Sequence, residues 1–126
     1  MPIMDTVCRV ALVDDVPEIR LMLRLTLELD GRFEIVGEAC DGAAAVDIAC
    51  QERPDVMILD LGMPVMDGFT AIPHICQSSP GTKILVLSAF DRGETDEVLS
   101  LGAHDYMVKG TEIHEDVIPK LLALCN

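Results

Sequence analysis

Aromatic residues are nearly missing from this sequence, with no Trp, one Tyr and three Phe among 126 residues. So few rings cannot build a core. In a chain that is 50% hydrophobic, the packing falls to Val, Ile, Leu, Ala and Met. Long apolar runs are also missing: none approaches the ~20 residues that span a bilayer. The N-terminus, Met1-Pro-Ile-Met-Asp5, lacks the basic-then-apolar order of a signal peptide. The expectation is a cytoplasmic protein with no membrane association. Positive charge is scarce, with nine Lys and Arg against 22 Asp and Glu and a net charge of −13. DNA affinity rests on clustered cations, and these nine are scattered, so direct nucleic-acid binding is not expected. Finally, no Cys-x-x-Cys pair occurs among Cys8, Cys40, Cys50, Cys76 and Cys125. Their odd number and apolar settings suggest reduced structural thiols, not a disulfide framework or a zinc site.

What is present is an alternation of strand and helix patterns. Strands are predicted over residues 7–13, 33–39, 56–59, 83–87 and 105–108. Helices are predicted over 17–29, 42–51, 68–77 and from Asp91 to Leu101, where Asp91-Arg-Gly-Glu94 has capping-box form. A last helix ends near Leu124. Pro119 falls inside its pattern, where it would remove a backbone hydrogen bond. Either the helix is kinked there or it starts late, with Asp116 as cap and Pro119 in the first turn; the late start is the expectation. Length fits a single domain over residues 1–126. Five strands alternating with five helices imply an α/β fold, a parallel sheet covered on both faces.

Four apolar runs end in residues capable of chemistry: Asp14-Asp15, Asp60, Ser88 and Lys109. In open α/β sheets ligands bind at the carboxyl ends of the strands, so these residues would meet at one edge. Carboxylates held together must take up a proton or bind a cation. A few hard oxygen ligands beside a phosphate suit Mg²⁺. Asp60, ionised at neutral pH, is a nucleophile needing no general base. Lys109 offers a compact charge to a phosphoryl oxygen, and Ser88 offers a hydroxyl. Taken singly, each has a plainer role. Asp14-Asp15 could cap a helix, Asp60 could be a turn residue, and Lys109 could be solvated. Their joint placement at strand ends outweighs these readings.

The quoted segments Val13-Asp14-Asp15, Asp60-Leu-Gly-Met-Pro64, Met66-Asp67-Gly68, Leu87-Ser88-Ala89, Gly102-Ala103 and Asp105-Tyr-Met-Val-Lys109 resemble a two-component response-regulator receiver domain over nearly the whole length. The resemblance implies a five-stranded parallel sheet in the flavodoxin-like order 2-1-3-4-5. It implies that Asp60 accepts phosphate from a sensor histidine kinase or phosphotransfer protein. Asp15, Asp60 and the Gly62 carbonyl would hold Mg²⁺, with Asp14 assisting through water. Lys109 would pair with the phosphoryl group. Ser88 and Tyr106 would be the switch that reshapes the surface of the fourth helix, fifth strand and fifth helix. A homodimer is compatible with this reading.

Some residues depart from the commonest receiver pattern. Gly110 follows the lysine where many receivers have Pro, which is similar to the class with a C-terminal helix-turn-helix DNA-binding output domain; no such domain lies within these 126 residues. Gly62 and Phe90, two residues beyond Asp60 and Ser88, carry no polar group to orient a water, which implies slow self-dephosphorylation. Gly62 also stands where an aspartate-nucleophile phosphohydrolase needs a second carboxylate, which argues against that reading, and the intact Asp14, Asp15, Asp60, Ser88 and Lys109 argue against a pseudo-receiver. The first helix is apolar on more than one side, with Ile19, Met22 and Leu29 set apart from Leu21 and Leu25, and suggests a docking face.

Overall fold

The computed structural model describes residues 7–89, 94–110 and 113–125. Among these the order is β1 (Cys8–Val13), α1 (Pro17–Asp30), β2 (Phe33–Ala39), α2 (Gly42–Glu52), β3 (Val56–Asp60), α3 (Gly68–Ser78), β4 (Lys83–Ser88), α4 (Glu94–Leu101), β5 (Asp105–Val108) and α5 (Ile113–Cys125). All strand pairs are parallel, in the order β2-β1-β3-β4-β5. That is the expected topology. The cap predicted at Asp91 lies outside the described residues.

Alternation of side chains along each strand divides the aliphatic core into two layers. Val10, Leu12, Ile58, Leu85 and Leu87 face α1 and α5, meeting Leu23, Leu27, Val117 and Leu121. Ala11, Val13, Met57, Leu59 and Val86 face α2, α3 and α4, meeting Ala45, Ala49, Ile72, Ile75 and Val98. The three central strands are buried on both sides, which is why they read as unbroken apolar runs. On α1, Leu29 is exposed like Leu21 and Leu25, so it does not side with Ile19 and Met22, which pack against the core.

Two expectations are corrected. Helix α5 starts at Ile113 and carries Pro119 in its interior, so neither Asp116 as cap nor a late start is realised. Ile113, Val117 and Leu121 repeat every four residues and are all buried. Burying that stripe outweighs the single hydrogen bond that proline removes. The cysteines are not all free thiols either. Cys8 and Cys125 are joined in a disulfide, while Cys40, Cys50 and Cys76 are unpaired.

The β3–α3 connection is the tightest part of the chain. Val65 has φ 68°, a left-handed conformation that is an outlier for a β-branched residue. The Met66 N–H donates to the Pro64 carbonyl at 2.7 Å, closing a three-residue turn around Val65. The Val65 side chain is 86% exposed, so little packing offsets its backbone strain. Val65→Gly is expected to raise stability by about 1 kcal/mol, read as a higher urea midpoint with unchanged slope. A lower midpoint would show that the turn is not strained.

Candidate functional site

The cleft forms where β1, β3, β4 and β5 end. Strands β3 and β4 run one residue further than the apolar pattern suggests, so Asp60 and Ser88 are themselves the last strand residues. Asp14 and Lys109 come immediately after β1 and β5. Backbone bonds lock these ends together. The Asp14 N–H donates to the Ala39 carbonyl at 3.1 Å, Leu61 N–H to Leu87 at 3.1 Å, and Lys109 N–H to Ser88 at 2.7 Å. Arg20 of α1, itself bonded to Glu38 of β2, donates to the Asp14 carbonyl. The capping role weighed for Asp14-Asp15 is not what the structure shows. The N-cap of α1 is Val16, with no side-chain cap bond, and Asp14 Oδ1 instead accepts from the Val16 N–H at 2.9 Å.

The motif after β3 has a steric purpose. Asp67 caps α3, its Oδ1 accepting from the Thr70 N–H at 2.8 Å. A Cβ on Gly68 would lie 2.5 Å from the Asp60 carbonyl oxygen, and one on Gly42 would lie 2.4 Å from that of Met66. Only glycine lets α2 and α3 press the loop against the strand end that carries Asp60.

One carboxyl oxygen each of Asp14, Asp15 and Asp60 lies within 4.8 Å of the others. Asp14 and Asp60 are buried, and Asp15 is exposed. The Lys109 ammonium reaches both buried partners, at 2.7 Å from Asp14 Oδ2 and 3.3 Å from Asp60 Oδ1. Burial pulls the lysine pKa down, but the two carboxylates outweigh this and hold it above its ordinary value. Asp60 is pushed up to about 6, first by burial and then by Asp14, against the opposing pull of Lys109 and the Gly62 N–H. That N–H donates to Asp60 Oδ1 at 3.4 Å. Among the described residues, one cation therefore faces three carboxylates. Among the same residues, Asp14 Oδ2 meets Lys109 as an ion pair but receives no aligned hydrogen bond. The donors are all hard oxygens with one buried oxygen under-satisfied, so the set fits a hard divalent cation.

The raised Asp60 pKa has a stability consequence. An acid whose folded pKa exceeds its unfolded value stabilises the fold when protonated. That stability is present below about 3.8 and is lost as pH rises through about 6. Asp60→Asn removes the dependence. In divalent-free buffer the variant's stability advantage over wild type is expected to grow by about 1 kcal/mol between pH 5 and pH 8, by urea unfolding. A gap that stays constant would show that Asp60 is not destabilised by its surroundings.

The cleft, about 740 Å³, is lined by Asp15, Asp60, Gly62, Ser88, Lys109 and Glu94, among others. The structure thus brings together every strand-end residue singled out in sequence, with Asp14 behind the wall. Tyr106 stands apart, half-buried against the layer under α2–α4. Among the described residues nothing lies within 4 Å of a Cβ added at Gly62, whereas Phe90 lies outside the described residues. Sequence reasoning missed Glu94, because it read as part of a helix cap. Its Oε1 is buried with no hydrogen-bond partner among the described residues. No spacing rule could have brought it to the cleft, since its place there depends on how α4 packs beside the end of β4.

The model of the response regulator receiver domain family matches residues 10–120. The chain belongs to that family. As a receiver domain of the two-component response-regulator class, it is 40% identical over 111 residues to a protein-glutamate methylesterase/protein-glutamine glutaminase 1 of Methanosarcina acetivorans, covering 86% of this chain and 32% of that protein. It is 38% identical over 108 residues to the transcriptional regulatory protein LiaR of Bacillus subtilis, covering 85% of this chain and 51% of that protein. The crystal structure of the response regulator domain of Thermotoga maritima CheB superposes with a TM-score of 0.89 at 28% identity, covering 95% of this chain and 97% of that one. The receiver thus spans about a third to a half of these two curated relatives. No helix among the described residues is long and apolar enough to cross a membrane.

Proposed function

We propose that this receiver is a phosphoacceptor switch with Asp60 as the acceptor. The observation that carries the proposal is the strand-end cleft, where Asp60 lies among two further carboxylates and one ammonium. A carboxylate oxygen of Asp60 attacks the phosphorus of a phosphohistidine on a sensor histidine kinase or phosphotransfer protein. A P–O bond forms, the P–N bond breaks, and the imidazole leaves with the electron pair. Such a transfer asks the protein mainly for position and charge neutralisation. Lys109 neutralises phosphoryl oxygen charge, and Ser88 donates a hydrogen bond to the transferred group. Asp15, Asp60 and the Gly62 carbonyl, assisted by Asp14, would hold Mg²⁺. That ion supplies Lewis-acid screening between the carboxylates and the incoming phosphate.

Ser88 and Tyr106 pass the event to the face of α4, β5 and α5, a local charge change biasing a two-state element. The exposed Leu21 and Leu25 of α1 offer the donor a docking surface. The domain turns over no other substrate. Gly62 supplies no acid–base carboxylate for a phosphohydrolase and no polar group to orient a water, so the phosphoryl group is long-lived. Transcription control through an output domain fits the likeness to LiaR and the Lys109-Gly110 pair. A stand-alone receiver acting by protein contact is the second reading. Incubation with acetyl phosphate and Mg²⁺ tests the proposal by intact mass. A switch gains one phosphoryl group, on Asp60, and keeps it after donor removal. Steady phosphate release with no adduct would point to a hydrolase.

A further inference from the structure

Cys8 opens β1 and Cys125 closes α5, 117 residues apart in sequence. Their Cα atoms lie 6.2 Å apart, a spacing that a disulfide bridges without backbone movement. Both belong to the apolar layer under α1 and α5. Cys8 is 7% exposed, and Cys125 is half-buried, so an external reagent meets Cys125 first. Because the strands are parallel, the start of β1 is at the end of the sheet opposite the acidic cleft.

We propose that Cys8 and Cys125 form a reversible thiol–disulfide modification site that ties the end of α5 to β1. The oxidant is a small disulfide such as oxidised glutathione. The Cys125 thiolate attacks one of its sulfurs, a mixed disulfide forms, and one glutathione thiolate leaves with the electron pair. The Cys8 thiolate then attacks the Cys125 sulfur and expels the second glutathione. Two protein thiols are oxidised, one small disulfide is reduced to two thiols, and the cysteine protons end on glutathione. Excess reduced glutathione reverses both steps. A reducing cytosol keeps the pair open, so an oxidative shift closes it. A helix end frays readily when untied. Closure therefore gives α5 a second input, separate from the cleft.

The test uses the 126-residue chain, reduced and then equilibrated in glutathione buffers, alkylated and digested with trypsin without reductant. Cleavage after Arg9 and Lys120 releases Cys8 in residues 1–9 and Cys125 in residues 121–126. The expected product is one cross-linked pair of these two peptides. It should be lost in Cys125→Ala and retained when Cys40, Cys50 and Cys76 are all changed to Ser. Oxidation should raise Tm by at least about 5 °C, slow amide exchange over residues 121–125, and leave acetyl phosphate labelling unchanged. Glutathione adducts or intermolecular dimers without the cross-linked pair would overturn the proposal. So would labelling that falls on oxidation, since the tie would then not be a separate input.

Discussion

Lys109→Ala is expected to slow phosphorylation by acetyl phosphate at least ~100-fold, the usual scale for removing one preorganised charge from a transferring group. The same change should lower stability by about 3 kcal/mol at pH 8, because it leaves buried carboxylates without their cation. At pH 5 the stability loss should shrink. Without Lys109 the Asp60 pKa climbs further above about 6, so Asp60 is protonated in the folded state and carries no charge to oppose. Urea unfolding of the variant at both pH values, in divalent-free buffer, checks this. A loss of equal size at both would mean that Lys109 contributes packing, not charge. Added Mg²⁺ should restore part of the stability at pH 8, since a second cation meets the same oxygens.

Gly68→Ala should have the other large effect, although Gly68 has no chemistry of its own. The added Cβ would meet the Asp60 carbonyl oxygen at 2.5 Å and Leu61 Cα at 2.8 Å. Both are backbone atoms, and the Gly68 N–H is bonded to the Leu61 carbonyl at 2.9 Å, so the loop cannot yield cheaply. The expected cost is about 2 to 3 kcal/mol. Phosphorylation should fall at least ~10-fold as the end of β3 shifts, because sub-ångström placement matters at a reacting group. Gly81→Ala is the control: nothing lies within 4 Å of its added Cβ, and both readouts should stay at wild-type values. Parity between the two variants would remove the steric reading of the Asp67-Gly68 pair.

The parts of the fold legible in sequence are those set by short-range periodicity. The buried strands announce themselves because both of their faces are apolar, and the cleft followed because each such run stops at Asp14, Asp60, Ser88 or Lys109. Helix α5 was misread because a local rule about proline competes with a tertiary reward. Burial of Ile113, Val117 and Leu121 depends on a sheet whose position local pattern does not reveal. The Cys8–Cys125 bond was missed for a related reason, since two residues 117 apart share no pattern, and only parallel packing brings β1's start beside α5's end. The strained turn at Val65 also depends on loop geometry. Nothing in the residue type of valine signals φ 68°.

The most direct test of the account is the site of phosphoryl attachment. Wild type and Asp60→Asn, each with acetyl phosphate and with or without Mg²⁺, are followed by intact mass and peptide mapping. The account predicts one phosphoryl group on wild type, only when Mg²⁺ is present, mapped to Asp60 and missing from Asp60→Asn. An adduct that persists in Asp60→Asn, or that forms equally well without Mg²⁺, would contradict it.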